Sequence, residues 1–392
     1  MREICILIGV VSFITQILAA DKSCDAKRYN VVCNLASWSV YREGEGAFNI
    51  SYIIPSYCTH IIYTFAGLNL AGGVDSLDYQ NDINVNKGYQ KIVELKEESP
   101  CLKVLLAIGG WNEGSEKYSL MADSEETRDA FADSALRFLA HYGFDGLDVD
   151  WEYPTLRGGI PEDRENFVLL LQTLREKFRR RNKILSIAIS GSPSAIQAAY
   201  DMQAICETVD FVSLMGYDYS VRDKTSVDGP LYSEQAMRSE SIDGAISYIR
   251  KSGCPLGKIN LGISTMAKTY TLKPGATASV NAGIVVQGPG KAGPFTKNVG
   301  VLGYNELCEM IMDGKWKMAF LRNVGVKVAV QGDQWVTYDD GETVAIKSKY
   351  VKEKGLGGVM FWTIDTDDFN GDCYNEAYPM VLAANKEFGY VV

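Results

Sequence analysis

Eight short runs of apolar and β-branched residues recur along the chain, with segments of helical character between several of them. The runs fall at residues 30–35, 60–65, 103–108, 146–151, 184–189, 211–215, 259–263 and 358–362. Among the intervening segments, residues 125–141 set Ala130, Phe131, Ala135, Phe138 and Leu139 at helical spacing. Residues 166–179 do the same with Phe167, Leu170, Leu171, Leu174 and Phe178. Alternating strands and helices predict a parallel sheet, the α/β class. Eight such repeats predict a closed (β/α)8 TIM barrel. A chain of 392 residues exceeds the usual length of one domain, but barrels of this kind often do.

The interval between the seventh and eighth runs is far longer than one helix requires. It spans residues 264–355 and holds a Gly/Ala-rich stretch (274–293), then strand-like residues 326–330 and 334–338. A small α+β insertion domain between strands 7 and 8 is expected there. At the N-terminus, Arg2 precedes an apolar run over residues 4–18, with Ala19-Ala20 as a small-residue cleavage site and polar Asp21-Lys22-Ser23 after it. This pattern predicts a signal peptide over residues 1–20 and a secreted, extracellular chain over 21–392. The run is too short for a membrane anchor, which needs about 20 apolar residues, and no membrane partner is expected.

A formal net charge of -10 argues against a nucleic-acid partner. Nine cysteines are present, and Cys5 leaves with the signal. The remaining eight are an even number, which fits disulfides in an exported chain, although spacing alone does not assign the pairs. No CxxC occurs, and His60 and His141 are the only imidazoles. No metal centre, Ser-His-Asp triad or cofactor is expected. Gly288 to Gly293 formally reads GxGxxG, but no strand-to-helix turn frames it and Pro289 sits inside, so nucleotide binding is not expected. Asn49-Ile50-Ser51 is a glycosylation sequon, usable in the secretory pathway.

The chemistry is expected in Asp145-Gly146-Leu147-Asp148-Val149-Asp150-Trp151-Glu152-Tyr153-Pro154. Strand side chains alternate faces, so Asp148, Asp150 and Glu152 share one face and Val149 and Trp151 take the other. A rise of about 3.3 Å per residue puts same-face neighbours roughly 7 Å apart at the backbone, near enough for the side chains to touch. Three ionised carboxyls in one row inside a barrel would repel strongly. Shared protons relieve that repulsion and raise at least one pKa, which suits a general acid. A metal site is the alternative, but it usually gathers ligands from several strands, and an exposed acidic edge does not fit so apolar a context. Glu152 falls at the C-terminal end of a barrel strand, where such folds place their chemistry.

The segment resembles the Asp-x-x-Asp-x-Asp-x-Glu signature of glycoside hydrolase family 18, the chitinases and chitinase-like proteins. Four other stretches match in order: residues 58–67, 106–112, 215–218 and 357–362. The resemblance implies a chitinase, endo-acting, with chitin or chitooligosaccharides as partner and no cofactor. In this family the substrate's own N-acetyl group attacks the anomeric carbon, unlike the usual two-carboxylate scheme. By similarity Glu152 protonates the glycosidic oxygen and later activates water. Asp150 orients the acetamido group and stabilises the positive oxazolinium, and Asp148 shares a proton with Asp150. Tyr217 and Asp218 resemble residues that bind the acetamido oxygen and position the sugar, with Met215 beside them. Trp362 resembles the floor under the distorted sugar. Trp38 and Trp111 are further platforms, and Phe65, Gly110 and Asn112 belong to the matching stretches. The alternative for Trp38 and Trp111 is burial in the core. The resemblance also implies the disulfides Cys33–Cys58 and Cys308–Cys373, an insertion over residues 266–337 and a sugar contact from Glu306. A monomer is expected.

This chain departs from the family pattern at three places. Asn34 replaces an aromatic after the first-strand cysteine. Tyr219, Ser220, Val221, Arg222 and Asp223 replace a stretch that often carries tryptophan. Met266-Ala267-Lys268 stands where Tyr-Gly-Arg is usual, and lysine lacks the planar fork of arginine. A chitinase-like lectin with little turnover is the second hypothesis, although such relatives typically replace the final glutamate of the signature, which here is Glu152.

Overall fold

The computed structural model describes residues 28–219, 221, 223–233 and 240–390. The expected signal peptide, Cys24, Ser220 and Arg222 lie outside the described residues. The barrel strands are β1 (Asn30–Ala36), β2 (His60–Leu68), β4 (Lys103–Gly109), β5 (Gly146–Asp150), β6 (Ile184–Ser190), β7 (Phe211–Met215), β8 (Ile259–Ser264) and β15 (Gly358–Trp362), and β3 (Val74–Ser76) runs antiparallel on β2. All barrel pairings are parallel, and β1 pairs with both β2 and β15, so the ring closes. Each of the eight runs seen in the sequence forms one of these strands.

The alternation of side chains divides the core in two. Leu147, Val149 and Trp151 face outward and pack with Phe167, Leu170, Leu171 and other helix residues. Val32, Ile62, Leu105, Ala107, Phe211 and Met360 fill the barrel's interior. Two surrounding helices show why these segments are helical. In α1 (Glu125–Tyr142), the Ser124 hydroxyl accepts from Thr127 N, and Gly143 ends the helix in the left-handed region at φ 81°. In α2 (Asp163–Arg179), Phe167, Leu170, Leu171, Leu174 and Phe178 form one fully buried stripe, each worth about 1.5–3 kcal/mol on burial.

Between β8 and β15 lies a second, antiparallel sheet of six strands: β9 (Met266–Leu272), β10 (Val286–Pro289), β11 (Val301–Gly303), β12 (Lys317–Leu321), β13 (Val326–Gln331) and β14 (Gln334–Tyr338). It has its own core of Tyr270, Leu272, Val328, Val330 and Trp335. The helix α3 (Tyr304–Met312) belongs to the same insertion, and α4 (Gly341–Lys354) leads back to the barrel. At that return, Lys347 is fully buried, and its Nζ lies 2.6 Å from Asp339 Oδ2. Disulfides join Cys33 to Cys58 and Cys308 to Cys373, the pairs implied by the resemblance, and also Cys206 to Cys254. Among the described residues no helix is long and apolar enough to cross a membrane.

Candidate active site

The strand β5 carries the acidic row. Its side chains alternate, so Asp148 and Asp150 point into the barrel while Val149 and Trp151 join the outer core. Asp148 is buried, and its Oδ1 accepts a 2.5 Å hydrogen bond from Ser186 Oγ on β6. Burial pushes the Asp148 carboxyl up to about 6, partly offset by that bond. Asp150 is buried, and its Oδ1 has no hydrogen-bond partner among the described residues. Burial, then the neighbouring Glu152 and Asp148 charges, hold its carboxyl well above the ordinary carboxylate range. Glu152 follows the strand directly. Burial raises it, the Tyr153 hydroxyl and the Arg157 cation pull it back, and Asp218 pushes it up again. The row is therefore a store of protons rather than three fixed anions.

The surroundings fix this row in place. Trp151 Nε1 donates to Ser115 Oγ at 3.0 Å, and Ser115 Oγ donates to the Tyr153 carbonyl at 2.8 Å, which anchors the turn just past Glu152. Gly109, at φ 116°, lies so close to β5 that a Cβ there would sit 2.1 Å from the Asp150 carbonyl oxygen. Gly110 permits a similar approach, since a Cβ would meet the Phe65 ring at 2.7 Å.

Above the row opens a cleft of about 1310 Å³, larger than the ~300–1,000 Å³ of ordinary small-molecule sites. Glu152, Met215, Tyr217, Asp218, Trp111 and Trp362 all line it. Burial keeps the Tyr217 hydroxyl protonated, so it can donate to an oxygen in the cleft. Trp362, Phe65 and Trp38 form one aromatic group, with ring centres 5.8 Å apart for Phe65–Trp362 and 6.2 Å for Trp38–Phe65. Trp38 is 45% exposed and Trp111 59%, so neither is a core residue. Rings with open apolar faces at a polar cleft are suited to stacking on sugars.

The insertion supplies one wall through Met266, Ala267 and Lys268 at the start of β9. Lys268 Nζ lies 2.9 Å from Asp218 Oδ1, and Asp218 itself is held at φ 65°. The lysine thus engages Asp218 through a single contact across the cleft. Behind it, half-buried Asp228 accepts from Tyr219 N at 3.0 Å.

One expected site residue is placed away from the cleft by the structure. Glu306 is fully buried, and its carboxylate accepts from Phe295 N (2.7 Å), Thr296 N (3.2 Å), Thr296 Oγ1 (2.5 Å) and Gly303 N (2.8 Å), which leaves it no free oxygen for a sugar. It caps α3 and pins the preceding loop. Gly303 has no side chain, so only the Glu306 half of a capping box is present, and the sequence carried no full signature for this role. Gly110 packs under Phe65, and Asn112 is exposed in the turn after β4, next to Trp111. Sequence reasoning missed Tyr153 and Arg157, both of which act on Glu152. Their closeness to the acid in the chain was the available signal.

The profile of the Glycosyl hydrolases family 18 matches residues 30–367. The chain is 39% identical over 359 residues to Probable chitinase 2 of Drosophila melanogaster, covering 88% of this chain and 73% of that protein. It superposes with a TM-score of 0.88 on the Group IV chitinase of Ostrinia furnacalis in complex with allosamidin, at 34% identity, covering 92% of this chain and 99% of that one. It also superposes, at TM-score 0.84 and 33% identity, on human YKL-39, described as a pseudo-chitinase with retained chitooligosaccharide binding, covering 92% of this chain and all of that one.

Proposed function

The chain belongs to the glycosyl hydrolases of family 18, and from that premise we propose that it is a secreted chitinase cutting β-1,4-linked N-acetylglucosamine chains with retention of configuration. One observation carries this reading: Glu152 sits at the mouth of the barrel in a long cleft, with its carboxyl raised by burial and Asp150 buried beneath it. A raised carboxyl keeps its proton until a leaving group needs it.

Glu152 gives that proton to the glycosidic oxygen. The acetamido oxygen of the bound sugar attacks the anomeric carbon as the glycosidic bond breaks, and an oxazolinium forms. Asp150 faces the acetamido N–H and stabilises the positive charge, while Asp148 holds the shared proton. Glu152, now a carboxylate, takes a proton from water, whose oxygen reopens the ring. Two inversions leave the β-anomer. Tyr217 donates to the acetamido oxygen, and Trp362 carries the sugar ring. An open cleft of this volume suits cutting within a chain. Secretion and a glycan at Asn49 belong to the same proposal; Asn49 is exposed, and its Oδ1 accepts from Ser51 N at 3.0 Å.

Turnover of a chromogenic chitooligosaccharide tests the reading. The wild type is expected to release the chromophore and Glu152→Gln to lose that activity by several orders of magnitude, with the β-anomer seen first by NMR. Tight binding with no turnover by the wild type would instead make the chain a chitooligosaccharide-binding protein, the second reading, which Met266 in the cleft wall favours.

A further inference from the structure

Arg157 lies five residues past Glu152, in the turn between β5 and α2, and besides lowering the pKa of the Glu152 carboxyl it takes no part in the steps above. Its guanidinium carbon stands 3.5 Å from the centre of the Trp111 ring, so the cation lies on the indole. Its Nη1 donates to the Trp111 carbonyl oxygen at 2.8 Å and to the Glu152 carbonyl oxygen at 3.0 Å. Ser115 reinforces the link, with its N donating to the Arg157 carbonyl at 3.3 Å and its Oγ to the Tyr153 carbonyl at 2.8 Å. One side chain thus joins the loop after β4, which carries an aromatic platform, to the loop after β5, which carries the acid.

Two further facts bear on its role. Arg157 has φ 51°, a left-handed conformation that glycine adopts freely, so the backbone alone gives no reason for a long side chain there. Trp111 is 59% exposed and lines the cleft, yet it stands apart from the Trp38, Phe65 and Trp362 rings that brace one another. A large exposed ring held only by its own backbone would lose rotamer freedom on meeting a ligand, which weakens binding. The guanidinium removes that freedom beforehand and covers one face, leaving the other to the cleft.

We propose that Arg157 is a positioning residue for sugar recognition: stacked on Trp111 and bonded to the carbonyls of Trp111 and Glu152, it presents one face of that ring to an N-acetylglucosamine unit in fixed relation to the acid. This rests on the chitooligosaccharide reading above. A planar guanidinium both stacks and bonds in its own plane, which an ammonium does not.

The test is calorimetric binding of a β-1,4-linked N-acetylglucosamine hexamer to a Glu152→Gln parent. The same measurement is made with Arg157→Gly, Arg157→Lys, Trp111→Ala, and Arg157→Gly together with Trp111→Ala, each added to that parent. Glycine is chosen because it accepts the observed φ. Arg157→Gly is expected to weaken binding about three- to tenfold. Arg157→Lys should recover only part of that loss. In the Trp111→Ala background, Arg157→Gly should cost little more, because both changes remove the same platform. No loss, or an equal loss with and without Trp111, overturns the proposal. Should the glycine variant fail to fold, Arg157→Lys decides, and full parental affinity overturns it. A parent that does not bind the hexamer removes the chitooligosaccharide reading and the proposal with it, whereas binding with additive losses removes the proposal alone.

Discussion

Replacing Asp148 by asparagine keeps the shape of the side chain and its acceptor oxygen for Ser186 while removing one ionisable group beneath Glu152. In the folded chain this carboxyl titrates at about 6, against 3.8 for the unperturbed group. Its folded pKa is raised, so the contribution to stability is fully present below 3.8 and is lost as pH rises through about 6. At 1.36 kcal/mol per pH unit, ionising the buried group costs about 3 kcal/mol. The asparagine amide does not titrate and escapes that cost. With an unfolding entropy of roughly 2.1 cal/mol/K per residue, about 3 kcal/mol corresponds to a melting temperature about 4 °C higher for a chain of this length. Scanning calorimetry of Asp148→Asn and wild type at pH 3.5 and pH 8 reads this directly. The difference should be small at the lower pH and near its full value at the higher. A difference that is the same at both pH values, or an asparagine variant that melts lower at pH 8, would refute burial as the cause of the raised pKa. Chitooligosaccharide turnover should fall in the same variant, since the site would gain stability by losing its proton store.

The remaining predictions concern the ion pairs, the cleft wall and the chain's processing. Lys347→Met leaves Asp339 buried without its cation, and denaturant titration should show about 3–5 kcal/mol of lost stability, partly recovered by a second change, Asp339→Leu. Met266→Tyr with Lys268→Arg adds a ring and a two-pronged donor opposite Asp218, and kcat/KM on chitooligosaccharides should rise, with each addition worth on the order of 1 kcal/mol. Intact-mass analysis of secreted protein should show a start near Asp21 and a glycan at Asn49; Met1 retained in secreted material would exclude the cleaved leader.

How far the site was legible depended on how local its determinants are. The alternation that sends Asp148 and Asp150 inward and Trp151 outward is a property of any extended strand, so the row could be placed on one face without knowing its neighbours. Glu306 is the opposite case: most of its partners are Phe295 and Thr296 groups brought to it by folding, so nothing in its immediate sequence marked it as structural. The Trp111 and Trp38 rings were undecided, because burial depends on what other segments fold over them. Lys268 illustrates the limit: its side-chain type was known, but its partner Asp218 lies 50 residues earlier in the chain.

By itself, then, the order of residues determined the eight strands, the closure they require and the facing of the acidic row. Each of these follows from apolar periodicity and the fixed geometry of an extended chain. Only the tertiary structure decided which rings stand open at the cleft, that Arg157 lies on Trp111, that Lys268 reaches Asp218 and that Cys206 pairs with Cys254. Those contacts join segments that approach only after the barrel has closed. The raised pKa values belong to the same class, because they come from water excluded by residues contributed from several strands at once.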